Sequence, residues 1–284
     1  MTTNFIVTKA SGDKANFSEE KLHHSLKQSG ATTEQIDYIL SEVYAKLYQG
    51  ISTKKIYQIA FGLLRDTSRH LAARYHLKKA IMSLGPSGYP FEKFVAEILN
   101  YQGYKTTVGV TTQGLCVSHE IDVIAEKGNN YIMVECKYHN QSGVFCDVKI
   151  PLYIQSRFLD VIGQWKKQPE LANKLYAGWV ATNTRFSEDA MKYGTCAGLH
   201  LLGWDYPIKN GLKDLIDTYG LYPITCLTSL TKPEKKQLLD KTIVLCKDLN
   251  DNHNLLDNLG IKPFRIKAIL QECAQLCEHL ALRK

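Results

Sequence analysis

The 284-residue sequence predicts a mixed α/β protein built as three successive modules. Three observations carry that expectation. Residues 119–137 read as two apolar-rich strands, 120–125 and 131–137, joined by a Gly128-Asn129-Asn130 turn whose residues tolerate positive φ. Around this hairpin, strand-like runs alternate with one-sided helical patterns, the order that yields a mixed sheet flanked by helices on both faces. Outside that stretch the apolar spacing is mainly helical, and Gly85-Pro86-Ser87-Gly88-Tyr89-Pro90 marks the first break. The modules so delimited are residues 1–85, 89–222 and 225–284.

In the first module, residues 4–10 and 14–17 form a short hairpin around Ser11-Gly12-Asp13. Ser18 then caps a helix over 19–29, with Glu19 and Glu20 suited to its positive N-terminal end. A second helix follows Thr33, carrying Ile36, Ile39, Leu40, Val43 and Leu47 at helical spacing. Ser52 or Thr53 caps a third with Ile56, Ile59, Ala60, Leu63 and Leu64, and a fourth spans 68–83.

The second module opens with a one-sided helix over 91–100, where Phe91, Phe94, Val95, Ile98 and Leu99 recur at i, i+3, i+4, i+7 and i+8. Residues 104–110 form a strand and 111–114 a loop before the central hairpin. After a polar loop from Tyr138 to Gly143, Pro151 starts a helix bearing Leu152, Ile154, Phe158, Leu159, Ile162 and Trp165. Residues 176–182 form a buried strand, Ser187 caps the next helix, 199–204 is a further strand, and a short helix ends near Gly220. The third module is helical over 232–240, 244–249, 254–259 and 263–280.

Composition narrows the function classes. Hydrophobic residues at 44% and charged residues at 22% are those of a globular domain. No apolar run approaches the ~20 residues that span a bilayer, and the N-terminus lacks a charged-then-apolar signal, so no membrane role is expected. The eight cysteines contain no Cys-X-X-Cys pair, which argues against a zinc site or disulfide framework and for a reducing cytoplasm. Cys273 and Cys277, four apart on a helix, read as small buried hydrophobes. Of the net +7, residues 1–85 hold 12 − 7 = +5, residues 86–220 hold 13 − 14 = −1, and residues 221–284 hold 10 − 7 = +3. The basic flanks permit contact with a polyanion.

The chemistry is concentrated at the hairpin. Asp122 lies between Ile121 and Val123, and Glu135 and Lys137 close the second strand on one face, with Cys136 on the other. Left unpaired, such a cluster at the end of an apolar hairpin would cost several kcal/mol. It is either a structural ion pair or a metal site. Asp122 and Glu135 suit Mg²⁺ or Mn²⁺, whose bound water could attack a phosphate while Lys137 orients it or neutralises developing charge. The Asp…Glu-X-Lys pattern resembles the restriction-endonuclease-like nucleases, the Mrr-type branch above all, and the Thr182-Asn183-X-X-Phe186-Ser187-X-X-Ala190 turn is a second feature of that branch. The resemblance implies a metal-dependent DNA endonuclease, an extra carboxylate from the first helix at Glu92, and a polar residue of the later helix, Gln155. His139, just past the strand, could face a phosphate backbone.

A second resemblance covers residues 4–84. Val7-Thr8-Lys9-Ala10-Ser11-Gly12, Phe17-Ser18-Glu19-Glu20-Lys21, the Ile51-Ser52-Thr53 cap and Ala73-Arg74-Tyr75 follow the ATP-cone, the regulatory nucleotide-binding module of ribonucleotide reductases and their transcriptional repressor. It implies ATP or dATP as a regulatory ligand with its phosphates at Lys9 and Lys21, and a nucleotide-dependent homo-oligomer. Ala10 stands where the family often has a cation, and the terminal phosphate residue is ambiguous between Lys78 and Lys79. Residues 255–270 resemble a helix-hairpin-helix with Lys262 in place of the second glycine, which leaves either a DNA contact or a helical cap. The two functional expectations are a nucleotide-regulated nuclease and, alternatively, a nucleotide-responsive DNA-binding regulator that keeps a non-catalytic nuclease fold.

Overall fold

The structure, a computed structural model, describes residues 5–9, 11–141, 143–252 and 254–278. The chain clusters into two compact units. The first comprises Met1–Ala80, Tyr222–Gln237 and Cys246–Glu278; the second comprises Ile81–Leu221 and Leu238–Leu245. Most residues from 222 onward thus cluster with the first eighty.

The first eighty residues begin with β1 (Ile6–Thr8) and β2 (Lys14–Asn16), antiparallel across the Ser11-Gly12-Asp13 turn. Residues 4 and 10 of the expected hairpin lie outside the described residues. α1 (Glu19–Gln28) is capped by Ser18, whose hydroxyl accepts from the Lys21 N–H at 3.2 Å. α2 (Thr33–Tyr44) is capped one residue earlier than expected, because Thr32 and Gln35 form a reciprocal capping box. β3 (Ile51–Ser52) pairs parallel to β1, a two-residue strand too short for any periodicity to announce. Ser52 then caps α3 (Thr53–Thr67) through the Lys55 N–H.

The single helix expected over 68–83 is two, α4 (Arg69–Tyr75) and α5 (Leu77–Ile81). His76 sits at the break, with its Nδ1 2.6 Å from the Tyr57 hydroxyl and its ring beside Phe61. Leu26, Val43, Ala60, Leu64 and Ala72 are wholly buried in this unit's core, each large side chain contributing about 1.5–3 kcal/mol.

The second unit starts with α6 (Tyr89–Tyr101), two residues ahead of the expected start, with Pro90 in its first turn. Then come β4 (Lys105–Gln113), β5 (Ser118–Lys127), β6 (Asn130–Lys137), β7 (Phe145–Cys146), α7 (Lys149–Trp165), β8 (Leu175–Thr182), β9 (Arg185–Phe186), α8 (Glu188–Cys196), β10 (His200–Leu202) and α9 (Leu212–Tyr219). The sheet order is β10-β8-β6-β5-β4, with β4, β5 and β6 antiparallel and β6, β8 and β10 parallel. It is the mixed sheet expected. β4 runs three residues further than expected, since Thr111, Thr112 and Gln113 pair with Glu120, His119 and Ser118 instead of forming a loop. The parallel pair β7–β9 was also not expected; two-residue strands from distant parts of the chain leave no local pattern.

Helix α6 packs on β4, β5 and β6, while α7 packs on β8 and β4. Ile154, Phe158 and Val161 of α7 form a core with Ile121, Met133 and Val180 of the sheet. A Cβ at Gly178 would stand 2.8 Å from Leu199 and 3.0 Å from Phe158, so β8 has no room for one.

From residue 222 the chain forms a 3₁₀ turn (Ile224–Cys226), then α10 (Lys232–Asp240), α11 (Cys246–Asp251), α12 (Asn254–Asp257) and α13 (Pro263–Cys277). α13 ends before Glu278, and residues 279 and 280 of the expected helix lie outside the described residues. Within the first unit α13 packs on α4. Arg74 donates from Nη2 to the Leu276 and Glu278 carbonyls, each at 3.1 Å, and Thr225 donates to the Ala80 carbonyl at 2.8 Å. The buried Glu272 carboxylate accepts from the Thr228 and Ser229 N–H groups and the Thr228 hydroxyl.

Candidate active site

Strands β5 and β6 pair from Lys127↔Asn130 to Val123↔Val134. Past that pair, the Cys136 N–H donates to Oδ2 of Asp122 at 2.6 Å, so a carboxylate takes up a backbone donor on β6. In the register of β4 with β5, the residue opposite Asp122 is Gly109, whose φ of +68° bends β4 there. On β6, Met133 faces α7, and strand alternation carries Glu135 and Lys137 to the same side. Lys137 Nζ donates to Oε1 of Glu135 at 2.6 Å, and Glu135 is 5% exposed.

Helix α7 adds a residue that the sequence did not single out. Arg157 donates from Nη1 to Oε2 of Glu135 at 2.6 Å and from Nη2 to the Glu120 carbonyl. Its guanidinium also lies 5.5 Å from the Tyr153 ring centre. Both oxygens of Glu135 are thus held by cations.

The surrounding acids repel one another. Burial pushes the Asp122 carboxyl up to about 6, with the Glu135 charge adding to it and the Cys136 N–H, Lys137 and Arg157 opposing. Burial pushes Glu92, on α6, up to about 7, helped by Asp122, Glu120 and Glu135. Glu92 is thus within electrostatic reach of these carboxylates. Gln155 makes no hydrogen bond to them, and its Oε1 is buried without a partner among the described residues.

Behind Lys137, β8 and its following turn brace the chain. Thr182 donates to the Lys137 carbonyl at 2.7 Å. Fully buried Asn183 accepts from the His139 N–H at 2.9 Å and donates to the His139 carbonyl at 2.7 Å. That is the structural role of the Thr182-Asn183 turn. Burial, with the Lys137 charge second, holds the His139 imidazole below its usual range. His139 lines a cavity of about 230 Å³ with Pro86, Gly88, Tyr138, Asn140 and Gln141. At the other end of α7, Asp160 accepts from the Cys116 N–H at 2.9 Å and meets His119 Nε2 at 2.7 Å, which pins the β4–β5 turn; that hydrogen bond holds its carboxyl down to about 2.

Four carboxylates (Glu92, Glu120, Asp122, Glu135) act on one another here beside two cations (Lys137, Arg157), and like charge adds to burial in raising Asp122 and Glu92. A divalent cation would cancel it. Among the described residues no three His, Cys, Asp or Glu side chains are arranged to enclose an ion. Asp122 and Glu135 offer carboxylate oxygens, the donor type that hard divalent cations take.

Residues 85–205 match the family described as restriction endonuclease, and residues 222–277 match the C-terminal domain of AF1548-like proteins. An uncharacterised protein of Archaeoglobus fulgidus is 36% identical over 183 residues, which span 64% of this chain and 99% of that protein. The chain belongs to the AF1548-like family. The crystal structure of AF1548, a protein of unknown function, is 35% identical and superposes with a TM-score of 0.55, covering 67% of this chain and 98% of that one. Against the MspJI restriction endonuclease in complex with a 27-mer oligonucleotide the TM-score is 0.29 at 12% identity, covering 70% of this chain and 41% of that one, too low for a shared fold to follow. This AF1548-like chain thus joins a restriction-endonuclease-like domain to the family's C-terminal domain.

Proposed function

We propose that this protein is a metal-dependent DNA endonuclease that hydrolyses phosphodiester bonds and is regulated by ATP or dATP. The observation that carries the reading is the set Asp122, Glu135 and Lys137 at the end of the β5–β6 ladder, with Glu92 beside it and more negative charge than its cations balance. The match of residues 85–205 to the restriction endonuclease family supports it.

Asp122 and Glu135 would hold Mg²⁺ or Mn²⁺. When bound, such an ion lowers the pKa of a coordinated water and shields the charge of a phosphate. The chain's own groups do the rest. Lys137 and Arg157 fix the Glu135 carboxylate between them, and Lys137 can place its ammonium against a phosphate oxygen as charge develops there. Asn183 and Thr182 hold the backbone that carries Lys137. The basic flanks attract the polyanion without reading its sequence.

For the regulatory ligand, Lys9 and Lys21 are exposed and form no ion pair among the described residues, which leaves both free for phosphates. Nucleotide binding would then bias assembly into a homo-oligomer, or the cleavage rate, by its differential affinity for two states. All eight cysteines are free, in keeping with a reducing cytoplasm as the setting. No helix among the described residues is long and apolar enough to cross a membrane. One observation favours the second reading, a DNA-binding regulator without turnover: both oxygens of Glu135 are already neutralised by Lys137 and Arg157.

Incubating the full chain with supercoiled and linear DNA, with Mg²⁺ or Mn²⁺ and with or without ATP or dATP, separates the two. Nicking that needs the metal and disappears in Lys137→Ala establishes the nuclease. DNA retention without cleavage under every condition leaves the regulator. Calorimetry with wild type and a Lys9→Ala/Lys21→Ala double variant tests the nucleotide, with expected binding in the micromolar range, about −8 kcal/mol.

A further inference from the structure

Beside the carboxylates lies a space of different character. The cavity of about 230 Å³ that His139 lines reaches Gly88 at the start of α6, where an added Cβ would stand 3.3 Å from Oε1 of Glu92. On its other wall, His139 follows Lys137 by two residues. The cavity therefore adjoins the candidate active site through both α6 and the end of β6. No carboxylate, ammonium or guanidinium lines it among the described residues. The exposed side-chain amides of Asn140 and Gln141 do line it and have no hydrogen-bond partner among those residues. The remaining wall is fixed. Tyr138 donates its hydroxyl to the Met82 carbonyl at 2.7 Å, and its ring centre lies 5.7 Å from that of Phe91. Asn183 holds the His139 backbone at both its N–H and its carbonyl.

We propose that this cavity holds one unpaired nucleobase next to the scissile phosphate, so that the substrate is DNA with an unpaired nucleotide at the cut; this rests on the endonuclease reading above. The space is that of about eight waters at ~30 Å³ each, and it falls below the ~300 Å³ at which pockets take whole small molecules. One heteroaromatic base fits it and a whole nucleotide does not. A phosphate would find no cation in this lining, whereas Lys137 stands next door. A base brings an edge of neutral donors and acceptors, which two amides and an imidazole can match. Each amide serves as donor or acceptor, so the cavity takes more than one kind of base.

In a paired duplex that edge is already occupied. The base must leave the stack to enter, and the cost is least where it is unpaired beforehand. Once seated, it brings its own phosphate against Asp122, Glu135 and Lys137.

The test gives the full chain, with Mn²⁺, three DNA duplexes of one sequence. One is fully paired, one carries a bulged nucleotide, and one carries a tetrahydrofuran abasic residue in place of that nucleotide. The expected result is cleavage beside the bulge at least about tenfold faster than in the paired duplex, with the gain lost on the abasic strand. An Asn140→Ala/Gln141→Ala variant should cut the bulged and abasic strands at one rate. Equal rates on these two strands with wild type, or a variant that keeps the full gain, overturn the proposal and leave the nuclease standing. A second readout needs no turnover. In Ca²⁺, with 5-iodouracil as the bulged base, ultraviolet crosslinking and peptide mapping should place the base on residues 138–141. A crosslink elsewhere, or none, overturns the proposal. If no DNA is cut under any condition, the nuclease reading falls by itself, and the crosslink alone decides whether the cavity holds a base.

Discussion

Arg157 Nη1 stands 2.6 Å from Glu135 Oε2, so a guanidinium on α7 and an ammonium on β6 share one buried carboxylate. Removing one partner of a buried pair leaves charge without compensation. Arg157→Ala should therefore lower stability by roughly 2–3 kcal/mol in the absence of divalent ions. Mg²⁺ or Mn²⁺ should restore part of that loss, since an ion that binds only the native state stabilises it by mass action. Thermal melts of wild type and variant, with and without the ion, check both statements. An equal Mg²⁺ response in the two proteins would show that the ion does not take over the work of Arg157.

Asp122→Asn should separate stability from function. Ionised Asp122 is disfavoured by burial and by Glu135, while an asparagine oxygen can still accept from the Cys136 N–H. The variant should melt at or above the wild-type temperature at neutral pH and lose at least about 10³-fold in cleavage, as expected when a metal ligand is removed. DNA affinity should hold. A variant that still cleaves would remove Asp122 from the site.

Asn183→Ala tests the brace behind Lys137. The substitution leaves the His139 N–H and carbonyl without the partner they now have, a loss on the order of 2–4 kcal/mol for two partly buried groups. The cleavage rate should drop while Mg²⁺ affinity, measured by calorimetry, changes little. Equal losses in both would mean that Asn183 acts only through global stability.

His76 gives the first unit a pH dependence of known sign. Burial, then Lys235 and Lys79, holds its imidazole down to about 4. The native state therefore favours neutral His76, and as pH falls from about 6.5 toward 4 the unfolded chain binds the proton first. The stabilising contribution is complete above about 6.5 and is lost toward 4, with an upper limit of about 3 kcal/mol. His76→Gln should melt with a shallower pH dependence across that window. Curves for the two proteins that stay parallel from pH 7 to pH 4.5 would contradict this.

The hairpin bearing Asp122, Glu135 and Lys137 could be read from the chain because its information is local. Alternation fixed which side chains share a face, and Gly128 fixed the turn. Helix caps were local in the same way, as Ser18, Ser52 and Ser187 show. Arg157 could not be found by such means. Its partner is 22 residues away, and only the parallel β6–β8 pairing lays α7 across the sheet so that the two meet. The extension of β4 was missed for a different reason: Thr111, Thr112 and Gln113 are polar and alternate weakly, and β5 supplies the pairing that keeps them in the strand.

The hydrogen bonds from Arg74 to the carbonyls of Leu276 and Glu278 also set an order in time. A ribosome adds about 5–20 residues per second, so some 200 residues separate the two ends of that contact by roughly 10–40 s. During that interval residues 81–221 can collapse around their own sheet, while the opening helices wait with their α13-facing side exposed. The nascent chain thus carries a nearly finished middle and an unfinished beginning. A helper that shields apolar surface would find its binding site at the N-terminal end until synthesis is almost over.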